Sequence, residues 1–280
     1  MAETDFVVQA PGLTPDAVAS LARAAGARAI VPLNAAGAYR FPGIAPSEGL
    51  TAAARDAGCD AAFVPVDRLL ARVRVVAMDM DSTLITIECI DEIADFKGIK
   101  PQVAAITQRA MRGEIDFAQS LTQRVALLEG LSVKELARVY DERLAISPGA
   151  QRMLAGFKAV GAVTVLVSGG FTFFTDRLKA RLGLDVTLSN TFEMDGEKLT
   201  GRIAGEIVDA EVKARTVREL KARHAGRDGL TVALGDGAND LPMFAEADVS
   251  VAYRAKPVVR AAATHALDFC GLDGALNLFR

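Results

Sequence analysis

The sequence predicts an α/β protein, a doubly wound parallel sheet with a helical insertion, preceded by a small α+β domain. Three observations support this. Residues 5–65 follow the order βαββαβ, and from Ser147-Pro148 onward short apolar runs alternate with helical segments. Between them, from Glu88 to Leu144, only helix signals recur. At 280 residues the chain has room for a full α/β core and a smaller unit beside it.

In the first unit Phe6-Val7-Val8 opens a strand, and Gly12 and Gly26 punctuate a helix from Pro15 to Ala25. Ala29 to Leu33 and Ala38 to Phe41 flank a hairpin turn at Asn34-Ala35-Ala36-Gly37. Pro46 and Ser47 start a helix that reaches Ala57, and Ala61 to Val64 closes the unit. This order is ferredoxin-like. By the pattern and position of its elements, the stretch 1–72 resembles an ACT-type regulatory domain. After a charged bridge from Asp67 to Arg74, the second domain (73–280) begins with the strand Val73 to Met78. Its insertion, about 86–146, carries Pro101 at a first-turn position, Asp116 before an apolar-periodic run, and Ser132-Val133-Lys134-Glu135 as a capping box. The core, 73–85 and 147–280, reads as a Rossmann-like sheet with strands at Val163 to Val167, Val186 to Leu188, Leu230 to Leu234 and Val249 to Ala252. A hairpin near Asp195-Gly196 interrupts the alternation.

Composition excludes several functions. A net charge of −3 without a dense Lys/Arg stripe predicts no nucleic-acid or anionic-membrane partner. The apolar stretch Ala159 to Val167 is about half of the ~20 residues a membrane span needs. The start, Met1-Ala2-Glu3-Thr4-Asp5, is acidic where a secretory leader is basic and then apolar, so cytoplasmic residence is expected. Cys59, Cys89 and Cys270 are odd in number and widely spaced, which predicts buried free thiols. None has arginine six residues later, so a cysteine-dependent phosphatase is not expected. His224 and His265 are the only histidines, and surface or packing roles are expected for both.

The chemistry lies in two acidic signatures, Asp79-Met80-Asp81-Ser82-Thr83 and Gly235-Asp236-Gly237-Ala238-Asn239-Asp240, each directly after a strand-forming run. Asp79, Asp81 and Asp236 should converge at strand carboxyl ends, where three carboxylates need a hard cation such as Mg²⁺ bearing phosphate. Asp79 can attack phosphorus directly. Asp81, two residues on, can protonate the departing alkoxide and then deprotonate water. Ser168-Gly169-Gly170 follows a strand and is expected to open the helix near Phe171, where it can face phosphate at a helix amino end; taken alone, an ordinary strand-to-helix turn is the better reading. Lys213 falls in a helix first turn after Asp209, unfavourable for a cation unless an anion is near; an exposed lysine is the ordinary alternative.

These pieces, in this order, resemble the haloacid dehalogenase superfamily of phosphotransferases over residues 73–280. The resemblance implies that Asp79, the backbone carbonyl of Asp81 and Asp236 bind Mg²⁺. It also implies that Ser168 and Lys213 hold phosphate, that Asn239 and Asp240 support the site, and that the helical insertion caps the crevice. Dehalogenases lack the acid at Asp81, and transport ATPases carry threonine there.

On the third helix of the insertion Phe117, Leu121, Arg124 and Leu128 share one stripe, so Arg124 should face inward and want an anionic partner, either a ligand or an intramolecular acid. Glu88, an acid in a helix opening turn, is on that ground alone ordinarily dipole stabilisation, with a ligand role as the alternative. Together they offer opposite charges to a zwitterion. The runs Asp79 to Ala94 and Ser120 to Leu128 are similar to the phosphoserine phosphatase family. This implies that Glu88 and Arg124 hold the amino and carboxylate groups of phosphoserine and that Met111 and Phe117 border the pocket; otherwise those two would be helix core. Hydrolysis of phosphoserine in serine biosynthesis is the expected activity. The alternatives are transfer to an alcohol such as homoserine, or a receiver-like module that only stores phosphate. Whether the first domain senses serine or promotes a homodimer is left open.

Overall fold

The computed structural model describes residues 3–33 and 37–280. Its first unit comprises β1 (Thr4–Gln9), α1 (Pro15–Ala24), β2 (Val31–Pro32), β3 (Ala38–Phe41), α2 (Glu48–Asp56) and β4 (Asp60–Pro65). The antiparallel sheet runs β2-β3-β1-β4, the ferredoxin-like order. Thr14 caps α1, its hydroxyl accepting the Ala17 N–H at 3.3 Å, and Pro15 follows where no N–H is needed. The expected strand Ala29 to Leu33 contracts to Val31–Pro32, because Pro32 cannot donate to a ladder and the segment lies at an exposed edge. The turn expected at Asn34-Ala35-Ala36 lies outside the described residues.

Both faces of this sheet are buried. Alternation sends Phe6 and Val8 to one face, against Val18, Leu21 and Phe41 under the helices. It sends Val7, with Ala62 and Val64 of β4, into the core of the larger unit.

That unit starts with β5 (Val73–Met78) and continues through the helices α3 (Cys89–Lys97), α4 (Lys100–Met111), α5 (Phe117–Ala126) and α6 (Val133–Glu142). Asp116 and Ser132 cap α5 and α6 with reciprocal capping boxes, as their spacing to Gln119 and Glu135 predicts. Then come α7 (Ala150–Ala159), β6 (Val163–Phe171), α8 (Thr172–Leu182), β7 (Val186–Asp195), β8 (Lys198–Ala204), α9 (Ala210–His224), β9 (Leu230–Gly235), α10 (Leu241–Glu246), β10 (Val249–Tyr253), α11 (Pro257–Ala262) and β11 (His265–Leu267). The seven-stranded sheet runs β11-β10-β9-β5-β6-β7-β8, parallel except for the β7–β8 hairpin. The chain winds outward from β5 to β7 and returns to the other side of β5 as β9. The crevice beyond the carboxyl ends of β5 and β9 is therefore the switch point where such sheets bind ligands.

The hairpin has a structural purpose. β7, expected only to Leu188, runs on to Asp195, turns through Gly196, and β8 braces the helical insertion: Gly130 N–H donates to Leu199 O, and Leu199 N–H to Leu131 O, at 2.9 and 2.8 Å. Leu121, Val125, Leu128, Leu136 and Val139 share a core with Phe192 and Leu199.

A C-terminal segment joins the two units. The buried Asp60 carboxylate accepts the N–H groups of Asp268, Phe269 and Cys270, with nearest distances of 2.7, 3.1 and 2.8 Å. Arg40 donates to the carbonyls of Asn277 and Phe279, and Gln9 donates to Gly274 O while accepting from Asn277. Asp60→Ala removes the acceptor of three backbone donors, of which the Cys270 N–H is buried, and is expected to cost about 1–3 kcal/mol of stability. Urea denaturation measures the loss, and hydrogen exchange should place it first at residues 268–270.

Candidate active site

Asp79 ends β5 and Asp236 follows β9. The two strand ends are pinned together by Asp79 N–H donating to Leu234 O at 3.0 Å. Beyond Asp79 the chain makes one wide turn, Met80–Leu84, with Leu84 and Ile85 N–H returning to the Asp79 and Met80 carbonyls at 3.3 and 3.0 Å. Within it Ser82 takes φ 53°, a left-handed conformation that costs a serine about 1 kcal/mol or more. This turn aims the Asp81 carboxylate at the amino end of α3, where it accepts the Cys89 N–H at 3.0 Å. Ser82 Oγ donates to Glu88 Oε1 at 2.6 Å.

Lys213 is the centre of the site. The expected alternative, an exposed lysine, does not hold: its side chain is 1% exposed and its ammonium donates to Asp79 Oδ2 at 2.7 Å and Asp240 Oδ1 at 2.9 Å. Two carboxylates supply the anion that its first-turn position calls for. Asp240 uses its other oxygen on the Asp236 and Gly237 N–H groups at 3.1 and 3.0 Å, which shapes the loop. A Cβ at Gly235 would lie 2.3 Å from that oxygen, so only glycine fits. Thr83 Oγ1 donates to Asp236 Oδ1 at 2.9 Å, and Asn239 Nδ2 reaches Asp79 Oδ2 at 3.4 Å. Carboxylate oxygens of Asp79, Asp236 and Asp240 lie within 4.8 Å of one another.

Crowding of acids sets the proton affinities. Withdrawal from water, and then the Glu88 charge, push the Asp81 carboxyl up to about 8. Burial and Asp79 push Asp240 to about 7 and raise Asp236. Desolvation also raises Glu88 at the crevice rim, partly offset by the Ser82 hydroxyl. Burial by itself lowers the Lys213 ammonium, but Asp79 and Asp240 outweigh it and raise it. An all-oxygen acidic cluster with one buried lysine suits a hard divalent cation.

The Ser168-Gly169-Gly170 segment differs from expectation. The helix begins at Thr172, so these residues are the extended end of β6 rather than a helix opening. Ser168 is fully buried and its Oγ accepts the Gly170 N–H at 2.9 Å. The two glycines permit close approach: a Cβ on Gly170 would sit 2.5 Å from Met80 Cε and 3.0 Å from Asp81 Oδ2, and one on Gly169 would sit 3.0 Å from Phe117 Cζ.

Phe117 therefore reaches from the insertion to the Ser168-Gly169-Gly170 side of the crevice. It lines a cavity of about 460 Å³ with Gly169, Val208, Lys213 and Asn239. Met111, at the end of α4, is 71% exposed and Phe117 37% exposed, so helix core is the wrong description for both. Leu121 and Leu128 are buried on the stripe that Arg124 shares. Arg124 is half-buried and bonds only to Ser120 O, at 3.4 Å, and its guanidinium makes no ion pair among the described residues. Burial lowers its proton affinity; Asp91, Glu88 and Asp81 counter this from a distance.

Sequence reasoning missed Asn190. Buried in β7, it donates to Gly169 O at 2.8 Å and accepts the Val208 N–H at 2.8 Å, tying the Ser-Gly-Gly segment to the loop before α9. The available signal was a polar Ser189-Asn190 pair within a strand-forming run. Asn190→Ala frees both loops, and a displacement near 1 Å should lower kcat by about 10²-fold in steady-state assays.

A family model for haloacid dehalogenase-like hydrolases matches residues 76–245. A phosphoserine phosphatase of Polaromonas sp. is 50% identical over 219 residues, 76% of this chain and 93% of that protein. Among solved structures, a HAD family hydrolase from Salmonella enterica serovar Typhi superposes with TM-score 0.87 at 34% identity, covering 99% of this chain and 98% of that one. A probable phosphoserine phosphatase from Vibrio cholerae, unliganded, gives TM-score 0.82 at 38% identity, covering 99% and 86%. The fold, the acidic strand ends and these matches agree: the chain belongs to the haloacid dehalogenase-like hydrolases.

Proposed function

We propose that this chain is a phosphoserine phosphatase, hydrolysing O-phospho-L-serine to L-serine and inorganic phosphate. The observation that carries the substrate assignment is Arg124, a half-buried cation without a counter-ion, on the insertion above a crevice whose rim carries Glu88. A zwitterion joined to a phosphate complements that arrangement, with Arg124 for its carboxylate and Glu88 for its ammonium. Relatives that share half of their aligned residues with this chain are phosphoserine phosphatases.

Asp79 attacks phosphorus, forming an aspartyl phosphate as the bond to the serine oxygen breaks, and the Asp81 proton passes to that oxygen. Burial and the Glu88 charge raise the proton affinity of the Asp81 carboxyl, which favours the protonated state a general acid requires. As a carboxylate it then takes a proton from water, whose oxygen attacks phosphorus, and Asp79 leaves as its free carboxylate. Lys213 and Ser168 hold phosphate oxygens, while Asn239 and Asp240 keep Asp79 and Lys213 in place. Asp79, Asp236 and the Asp81 backbone carbonyl would hold Mg²⁺, which would supply positive charge to neutralise the phosphate. A cytoplasmic setting accords with three buried free thiols. Storage of phosphate by a receiver-like module is disfavoured by an acid at Asp81 placed to activate water, and the comparisons do not favour transfer to an alcohol.

Arg124→Ala tests the assignment. It should lower kcat/KM for phosphoserine by about 10- to 100-fold, the value of a charge-assisted contact, and change turnover of an aryl phosphate less than about 3-fold. Equal losses on both substrates would remove the basis for choosing phosphoserine.

A further inference from the structure

Two cavities lie away from the catalytic crevice and share no residue with the lining of the cavity beside Phe117. Two adjoining spaces of about 560 Å³ each separate α2 and β4 of the small unit from the β10–α11–β11 edge of the large sheet. Three arginines meet there, Arg55 from α2, Arg260 from α11 and Arg254 just beyond β10. They face one exposed-side acid, Asp268, which sits 2.9 Å from Arg260 and 4.0 Å from Arg55. The deeper space is also lined by Asp60, but its oxygens are committed to the backbone of residues 268–270. The outer groove thus holds three guanidinium groups against one carboxylate, two positive charges in excess.

A second observation singles out Arg254. Among the described residues only Ser82 and Arg254 are non-glycine residues at positive φ, 53° and 47°. Ser82 is in the catalytic turn. Arg254 is held by its N–H donating to Leu267 O at 2.8 Å. Its guanidinium lies 5.2 Å from the centroid of the Tyr253 ring, and a strained arginine that is otherwise exposed at a groove wall points to a ligand contact.

We propose that this groove is an anion site, in which Arg55, Arg254 and Arg260 bind a small dianion, a phosphate or a short dicarboxylate, and that its occupation ties the small unit to the catalytic unit. Guanidinium forks match both anions by paired hydrogen bonds. Clefts between units are favoured places for such ligands. The site does not depend on the substrate assigned to the crevice.

Calorimetric titration of the full chain, in EDTA at low ionic strength, with inorganic phosphate and separately with succinate, tests this. Phosphate binding at the catalytic crevice is common to all variants, so the difference between proteins isolates the groove. At least one titrant should bind at least about tenfold more weakly to Arg55→Ala/Arg254→Ala than to the unmodified chain. Response to phosphate alone assigns a phosphate or phosphomonoester, to succinate alone a dicarboxylate, and to both a general dianion site. Asp268→Asn, which removes the competing acid, should tighten the same binding, a direction that loss of folding cannot produce. Equal binding of both titrants to the unmodified chain and the double variant, or weakening in Asp268→Asn, overturns the proposal.

Discussion

Asp79→Asn is expected to lower phosphate release by at least about 10⁴-fold, because an amide lacks the charge to attack phosphorus and no neighbouring group can replace it. Asp81 is aimed at the amino end of α3 and Asp236 is held by Thr83, so neither stands where Asp79 does. The fold should survive. The amide side chain of this variant retains an oxygen for Met80 N–H, which Asp79 Oδ1 accepts at 2.7 Å, and loses the Oδ2 acceptor that Lys213 and Asn239 share, while Lys213 keeps Asp240 as its partner. Steady-state release from phosphoserine and from an aryl phosphate should fall together, which separates this loss of chemistry from the substrate-selective loss at Arg124. A residual rate within about tenfold of the unmodified enzyme would exclude Asp79 as the nucleophile.

Lys213→Met should affect both activity and stability. Removing the ammonium leaves Asp79 and Asp240 as neighbouring carboxylates in a buried site, an arrangement that costs about 3–5 kcal/mol. Phosphate binding and transition-state charge stabilisation go with it, so kcat/KM is expected to drop by about 10³-fold. A double variant tells the two effects apart: Lys213→Met/Asp240→Asn removes one stranded charge and should recover part of the stability, measured by urea denaturation, without recovering activity. Stability unchanged in the single variant would mean the buried ion triad is not formed.

The catalytic strand ends were legible because short apolar runs followed at once by acids leave little choice of placement. Asp79 and Asp236 lie on adjacent strands, β5 and β9, as the alternation of elements implies. The insertion's helices were legible from their caps. Lys213 was assigned a role only through the family resemblance, and its burial was not legible, because it depends on Asp240, 27 residues on and brought back by β9. Asn190 was hidden for a related reason: it bonds to backbone atoms of Gly169 and Val208, and no side-chain pattern encodes a backbone partner. The Ser168 segment was placed on a helix because strand and helix turn share the same glycines; it is instead the end of β6, with Ser168 Oγ accepting the Gly170 N–H. Burial of both faces of the small sheet follows from Val7, Ala62 and Val64, but what covers the second face is the chain's other end.

The account rests on transfer of phosphorus to the Asp79 carboxylate before water takes it. Rapid acid quench of the enzyme during turnover of ³²P-labelled phosphoserine, followed by borohydride reduction and peptide mass analysis, reads that step directly. The account predicts protein-bound, hydroxylamine-labile label within the first turnover and conversion of Asp79 to homoserine. Full turnover with no labelled protein, or label on any other residue, would contradict it.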